Sequence, residues 1–268
     1  MQNLPRYLVR RGQAVIVVLM GLASSPAAAQ QGSQSTAVAI TASFRAQGVA
    51  TQLQPIAAVS GAMSRIYDST QTVPSVSESL AIAPGDPTPT LFVSGEGLTS
   101  HTSSVMNTGR SRTSVGGNTL ANARLILTGG PPPGGVPDAA APALLIATRE
   151  LVSSANFNAG ATTRGSAIGL MSVGRLSISG HLVGDQVLRY SGSVAQNTVI
   201  FRSPEVTITL NRQLELGTTV CDDDCVEAPL SDGVGAIRIV AIDVQLHDAM
   251  VGKSKVSGEI RVNQATAQ

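Results

Sequence analysis

Glu205-Val-Thr-Ile-Thr-Leu-Asn211 is the most regular alternation of apolar and polar residues in the chain. Successive side chains of a β-strand point to opposite faces. Val206, Ile208 and Leu210 are therefore predicted to face a core, while the threonines between them and Asn211 face water. β-Branched residues occupy both faces, which is typical of strands. The stretch predicts a half-buried β-strand.

Segments on both sides of this stretch repeat the same period. Val38–Arg45 and Val256–Val262 alternate apolar and polar residues, so both are predicted strands. In Ile237–Leu246 the alternation slips by one residue near Val240-Ala241. That slip predicts a β-bulge that keeps Asp243 out of the core.

Further short strands and turns extend this pattern along the chain. The other strand candidates are Leu91–Ser94, Thr119–Leu127, Leu144–Val152, Arg175–Ile178, Gln186–Tyr190 and Thr198–Phe201. The turn signals are Pro84–Pro87, Gly116–Asn118, Gly165, Gly180, Gly184, Gly192 and Asp232-Gly233. Gly129–Pro142 is predicted to be a loop, because its prolines remove backbone donors.

Many short strands at near-regular spacing predict an all-β chain with little helix outside the N-terminal segment. The expected architecture is an antiparallel β-sandwich, and an irregular β-barrel is the alternative. Ala139–Ser154 is the best helix candidate. Pro142 and the Leu-Leu-Ile run within it are equally compatible with a buried strand.

The N-terminal residues have the three parts of a secretory signal. Met1–Gln13 carries three arginines and no acidic residue, Ala14–Ala23 is apolar, and Ser24–Ala29 ends in a small-x-small pattern. The apolar run is shorter than the roughly 18 residues of a membrane-spanning helix. We therefore expect a cleavable signal peptide with cleavage after Ala29.

The predicted organisation follows from that cleavage. Residues 1–29 are the signal peptide, residues 30–36 a short linker, and residues 37–268 a single β-rich extracellular domain. No later stretch is long and apolar enough to span a bilayer. The mature chain is expected to be secreted, in the periplasm or outside the cell, with no membrane span.

Composition narrows the classes of partner. The formal net charge of +1 falls to −2 when the three arginines of the signal are removed. Such a chain has no basic surface for nucleic acid or anionic lipid. Aromatic residues make up 3% of the sequence and tryptophan is absent, which disfavours the aromatic walls of sugar-binding clefts.

No stretch assembles a recognisable catalytic, cofactor or metal site. His101, His181 and His247 are far apart in the sequence and none has a two-histidine metal spacing. Each is expected to be a loop or strand-end residue. No catalytic residue, cofactor or metal ligand is assigned. A triad is defined by its geometry in space, so the sequence leaves open a secreted hydrolase with an unrecognised site.

Cys221 and Cys225 are the chain's two cysteines. Thiol pairs oxidise in exported proteins, so we predict a disulfide at the tip of a hairpin spanning residues 217–234. Redox catalysis is disfavoured, because the spacing is C-x-x-x-C and the intervening carboxylates of Asp222–Asp224 oppose a thiolate. Calcium bound by these carboxylates stays an alternative to a solvated acidic tip.

Seven stretches of the chain together form a recognisable pattern: Asn197–Ile200, Pro204–Gln213, the acidic Cys-bearing hairpin, Ala236–Leu246, Val38–Ser43, Pro55–Ser60 and Gly180–Leu188. This pattern resembles the choice-of-anchor P family of bacterial secreted proteins. The resemblance covers most of residues 37–263 and its motifs are sharp in residues 197–246. It implies an extracellular domain of uncharacterised biochemical role, with no catalytic residues. Family members carry different C-terminal anchors, whereas this sequence stops at Gln268 without one, so attachment is expected to be non-covalent or the protein released.

Two functions remain. Serine, threonine, glycine and asparagine on alternating strand faces favour a non-enzymatic protein with a structural, surface-associated or adhesive role, whose partner is a cell-surface or matrix component. The secreted hydrolase is the alternative. The terminal strands, Thr36–Arg45 and Lys253–Asn263, are predicted to pair within one molecule rather than form free sheet edges. We therefore expect a monomer rather than a homo-oligomer.

Overall fold

In a computed structural model, the described residues form twelve β-strands and one short 3-10 helix, His181–Val183. The structure describes residues 35–61, 66–83, 88–106, 112–129, 142–159, 166–216 and 236–267. The strands are β1 Ser35–Ala46, β2 Val49–Ser60, β3 Tyr67–Ala81, β4 Thr90–Met106, β5 Arg112–Thr128, β6 Leu144–Ala159, β7 Ser166–Ser179, β8 Leu188–Ser193, β9 Thr198–Arg202, β10 Val206–Leu216, β11 Ala236–Val251 and β12 Ser254–Ala267.

The strands form two antiparallel six-stranded sheets that pack face to face. Sheet A has the order β2-β1-β12-β11-β10-β9, and sheet B the order β3-β4-β5-β6-β7-β8. The predicted all-β sandwich is confirmed, and Leu144–Val152 is a strand and not a helix. All strands belong to one compact unit, Gly32–Gln268. Within the described ranges, no helix has the length and apolar character needed to cross a membrane.

The first and last strands lie side by side as the second and third strands of sheet A. β1 pairs antiparallel with β12 from Ser35↔Ala267 to Ala46↔Val256. β2 covers the other side of β1, and β11 covers the other side of β12. The predicted pairing of the terminal strands is confirmed, so neither of them is a sheet edge. β1 begins at Ser35, within the range assigned to the linker.

Residues with positive φ lie level with one another on alternate strands of both sheets. At each of them, the alternation of inward-facing and outward-facing side chains shifts by one residue. β4, β6, β10 and β12 each contribute one: Gly97 with φ 60°, Glu150 with φ 53°, Asn211 with φ 51° and Asn263 with φ 53°. The strand register does not change across these residues in sheet A, since Leu210↔Ile242 is followed by Arg212↔Val240. The slip predicted in β11 is therefore real, but the predicted β-bulge is wrong, because no extra residue is inserted.

Asn211 and Asp243 depart from their predicted surroundings. Asn211 was assigned to the water-facing side of its strand, but it is 3% exposed. Its positive φ turns the chain at this point and places the side chain against the segment after β8. Asp243 lies outside the apolar core, as predicted, yet it is 1% exposed because side chains of neighbouring strands cover it.

The interior has an apolar part and a polar part. Buried serines, threonines and asparagines of sheet B face sheet A in the polar part: Ser100, Thr102, Ser104, Ser114, Asn118 and Ser153. Asn118 Nδ2 donates to Gln264 O at 2.8 Å, and Ser153 Oγ donates to Asn263 O at 3.0 Å. Hydrogen bonds of this kind satisfy buried polar groups and join the sheets.

Gly116 explains why one predicted turn is wrong. Gly116–Asn118 lies inside β5, as Gly192 lies inside β8. A Cβ on Gly116 would be 2.8 Å from both Thr36 O and Thr266 O. The glycine therefore marks a close approach of the two sheets and not a change of chain direction.

A candidate binding cleft beside β7

Half of β7 has no strand beside it on one side. β6 pairs with β7 along its whole length, from Asn158↔Ser166 to Leu145↔Ser179. β8 pairs with β7 only from Ser172 to Ile178. The chain then leaves sheet B and enters sheet A at β9. In the described chain, the position that a longer β8 would fill beside residues 166–171 therefore contains no strand.

A cleft of about 620 Å³ lies at this position. Its lining combines aliphatic, hydroxyl and amide groups, and none of the lining side chains carries a charge. The lining residues are Val152, Ser154, Ala167, Ile168, Gly169, Leu170, Met171, Ser172, Ser193, Val194, Gln196, Asn211 and Gln213. The lining is about evenly divided between aliphatic residues and residues with hydroxyl or amide groups, so it offers packing and hydrogen bonds but no charge to pair with a charged ligand.

Side-chain amides hold the inner wall of the cleft in place. Gln213 Nε2 donates to Gly169 O at 2.8 Å and to Asn211 Oδ1 at 2.9 Å. Asn211 Nδ2 donates to Val194 O at 2.7 Å. Asn197 Oδ1 accepts from Gln213 N at 2.8 Å. These bonds connect β10 of sheet A, the segment between β8 and β9, and β7 of sheet B.

The backbone at this wall requires asparagine. Asn197 has a φ of 55° and Asn211 a φ of 51°. Apart from glycine, asparagine and aspartate adopt this left-handed region most readily. Glycine would lack the amide that each residue uses here. Gly169 completes the wall, because a Cβ there would be 2.6 Å from Gln213 Cδ.

The outer lip of the cleft is apolar and exposed. Ile168 is 57% exposed, Leu170 60% and Val152 42%. The pairs Asn156↔Ile168, Ser154↔Leu170 and Val152↔Ser172 place all three side chains on the outer face of sheet B. Single exposed aliphatic residues are ordinary, but a group of them beside an open strand edge is typical of an interaction surface.

None of the three histidines lines the cleft. His101 lies inside β4 and is paired with both β3 and β5, so its prediction as a loop or strand-end residue is wrong. His101 Nε2 on β4 is 3.0 Å from Asp68 Oδ1 on the neighbouring strand β3. His181 Nε2 is 3.1 Å from Met250 O, and because a carbonyl oxygen only accepts, this nitrogen carries the proton. His247 is exposed and its backbone N–H donates to Glu205 O at 2.8 Å. His181 therefore contacts β11, and His247 belongs to it. Both lie near the part of β11 that extends past its pairing with β10.

A cluster of charged side chains occupies the outer face of sheet A. Arg212 Nη1 is 2.5 Å from Asp243 Oδ2, and Arg261 Nε is 3.7 Å from Asp243 Oδ1. Arg261 also pairs with Glu259 at 2.6 Å. Two arginines compensate the buried carboxylate, so the cluster is an ion-pair network within the sheet. Among the described residues, no three His, Cys, Asp or Glu side chains converge to hold a metal ion.

The remaining predicted site residues lie outside the described residues: Ala29, Cys221, Cys225 and Asp222–Asp224. The strands that flank the cysteines are confirmed, since β10 and β11 pair antiparallel up to Leu216↔Ala236. The segment with both cysteines therefore connects two neighbouring strands. The disulfide and the calcium alternative stay predictions.

Comparison of the chain with protein-family models, with curated proteins and with solved structures finds no match. The cleft therefore has to be interpreted from its own chemistry. No single stretch of sequence predicts the cleft, because its walls come from β6, β7, β10, the end of β8 and the segment that follows it. The sequence contains one signal of the cleft. Asn197 stands where the apolar alternation of β9 begins, and Asn211 stands where that of β10 ends.

Proposed function

We propose that the mature chain is an exported, non-enzymatic β-sandwich protein with a surface-associated, structural or adhesive role, and that the cleft beside β7 is its binding site. The observation that carries this proposal is the uncharged lining of the cleft. Aliphatic, hydroxyl and amide groups can hold an uncharged partner by packing and hydrogen bonding.

The groups in the cleft support binding rather than hydrolysis. Ser154, Ser172 and Ser193 contribute hydroxyls to the lining. A serine nucleophile needs a base within hydrogen-bond reach, and the lining residues include no histidine or carboxylate. The cleft therefore offers donors and acceptors without a group to take a proton.

The structure of the walls supports a rigid binding surface. Both walls belong to paired strands, apart from the segment after β8, and amide hydrogen bonds connect them. Sites on strands need little ordering when a ligand binds, which lowers the entropic cost of association.

The proposed location outside the cytoplasm rests on the sequence. The signal-like residues 1–29 and the resemblance to the choice-of-anchor P family both indicate export, and a surface role agrees with them. Under this proposal, the partner is a component of the cell surface or of the matrix around it.

A binding assay with cells tests the proposed role. Fluorescently labelled protein comprising residues 30–268 is added to intact cells of the producing organism, and bound protein is measured with and without excess unlabelled protein. We expect saturable binding that the unlabelled protein displaces. The same preparation is assayed with ester, glycoside and peptide substrates. Turnover in proportion to protein concentration would overturn the proposal in favour of the hydrolase.

A further inference from the structure

We propose that the open half of β7 binds an extended, uncharged peptide segment of a partner protein, which adds to sheet B as a strand beside residues 166–170. This inference rests on the proposed binding function and names the chemistry of its partner. Strand addition to an exposed sheet edge is an established mode of peptide recognition.

The direction of the β7 backbone supports strand addition. Gly169 O accepts from a side chain of sheet A, and Met171 O accepts from Val194 N at 3.5 Å. Both carbonyls therefore point away from β6. The N–H and C=O of one residue in an antiparallel strand point to the same side, so Ala167 and Gly169 present their backbone groups to the vacant position, whereas Met171 O is already bonded to Val194 N.

The present partner of Gly169 O leaves room for a strand. Gln213 reaches it with the end of a flexible side chain, and a carbonyl oxygen has a second lone pair. An incoming N–H can share this oxygen through that lone pair, so the bonds from Gln213 Nε2 to Gly169 O and to Asn211 Oδ1 remain. Adding a strand therefore requires no break in the existing sheet.

The side chains around the edge define the kind of peptide. Ile168 and Leu170 are alternate residues on the outer face of β7, and Val152 lies beside them on β6. Alternate side chains of an added strand would pack on this lip, so aliphatic residues are favoured there. Those on its other face would meet Asn211 and Gln213, which favours hydroxyl or amide side chains.

Charge and length narrow the partner further. The cleft lining has no charged side chain to pair with a charged residue of the peptide, and burying an unpaired charge is costly. The five residues 166–170 span about 17 Å at the rise of an antiparallel strand. The segment is therefore an uncharged stretch of about five residues that alternates aliphatic and polar side chains.

The probe is a capped hexapeptide of alternating threonine and valine, added to ¹⁵N-labelled protein comprising residues 30–268. We expect the amide resonances of Ala167 and Gly169 to shift with a common, saturable dependence on peptide concentration. A peptide with lysine in place of valine should not bind. Shifts that centre on another sheet edge would overturn the proposal.

N-methylated peptides separate strand addition from simple apolar contact. Alternate amides of the hexapeptide are methylated in the two possible registers. A strand presents every second N–H to its neighbour, so methylation in one register should abolish binding and in the other should be tolerated. Equal binding of both methylated peptides would overturn the strand proposal.

Leu170→Lys places a charge on the outer lip without disturbing the core, because the side chain is 60% exposed. It should weaken peptide binding at least tenfold. Val105→Lys is the matched control, since Val105 is 50% exposed on the same face, on β4, and it should bind as the unmodified protein does. Equal affinities of the two variants for the peptide would contradict the assignment of the lip.

Two results distinguish this inference from the proposed function. If Leu170→Lys still binds cells and no peptide binds, strand addition is wrong and the surface role stands. If the unmodified protein binds the peptide but not cells, the surface role fails and the strand site stands. Dimerisation that depends on protein concentration and is abolished by Leu170→Lys would identify a second copy of this chain as the occupant. That result would overturn the proposal of a separate partner protein.

Discussion

Asn211 combines a special backbone conformation with two side-chain hydrogen bonds. Its φ is 51°, and its amide bonds Val194 O and Gln213 Nε2. Asn211→Ala should lower the free energy of unfolding by about 2–3 kcal/mol. About 1–2 kcal/mol of this is the cost of the left-handed region for alanine, and about 1 kcal/mol is the loss of hydrogen bonding.

Asn211→Gly is the matched control for that variant. Glycine adopts a positive φ without steric cost but has no amide, so this variant should be more stable than the alanine variant. Both free energies are measured by urea denaturation of the protein comprising residues 30–268. Equal losses would show that the backbone conformation contributes nothing to the preference for asparagine.

Asp243 is a buried carboxylate held between two arginines. It is 1% exposed, whereas Arg212 is 15% exposed and Arg261 20%. Asp243→Asn keeps the shape but removes the charge that both guanidinium groups face, so we expect a loss of about 1–3 kcal/mol in urea denaturation. Asp185→Asn changes the same group at an exposed position with a φ of 56°, which asparagine tolerates. A loss for the control as large as that for Asp243→Asn would contradict a role for burial.

Among the strands, β5 contains two adjacent glycines in opposite surroundings. A Cβ on Gly116 would be 2.8 Å from backbone oxygens of β1 and β12, whereas one on Gly117 would be 3.5 Å from its nearest neighbour. Gly116→Ala should therefore separate the sheets and lower the free energy of unfolding by about 1–3 kcal/mol. Gly117→Ala should change it by less than about 0.5 kcal/mol. Equal stability of the two variants in thermal denaturation would contradict a close approach of the sheets at Gly116.

The segment between β10 and β11 carries the predicted disulfide. The proposed export favours a bond between Cys221 and Cys225, and closing so short a loop should add at most about 2 kcal/mol. Intact mass after alkylation, measured with and without prior reduction, tests the bond. We expect two alkyl groups only after reduction. Two groups without reductant would show that the cysteines are free thiols.

The strands that the sequence predicted well have one apolar face. β10 is an example, since Val206, Ile208 and Leu210 are all fully buried. β3 was not predicted because most of its residues are exposed, and an edge strand with little burial has no apolar alternation to detect. Gly116–Asn118 was misread as a turn because local sequence does not report how closely another sheet approaches.

The cleft was harder to predict than the fold, for a physical reason. A strand pattern is local, whereas the cleft depends on where β8 stops and on which segment covers the gap. Gln213 illustrates this, because its partners are Gly169 on the other sheet and Asn211 on its own strand. Its amide group alone suggests neither contact.

For the whole sandwich, the position of the chain ends determines how sheet A is completed. β1 and β12 are its second and third strands, so β2 joins the rest of the sheet only through the two terminal strands. Sheet A therefore cannot be complete until the C-terminal strand is present. Sheet B consists of six consecutive strands, each paired with the next, and needs no contact between distant parts of the sequence.

The same arrangement predicts that the chain can be circularly permuted. Ser35 and Ala267 are directly opposite each other in the sheet, so a short glycine-serine linker can join them, with new ends opened between β2 and β3. We expect this permutant to unfold cooperatively, with a free energy in urea within about 2 kcal/mol of the linear protein, since permutation is tolerated where ends are close and the new opening lies between strands. A second permutant, opened between Glu259 and Ile260, interrupts a central strand and should show no cooperative transition. Failure of the first permutant to fold, under conditions in which the linear protein folds, would show that the terminal strands are not neighbours.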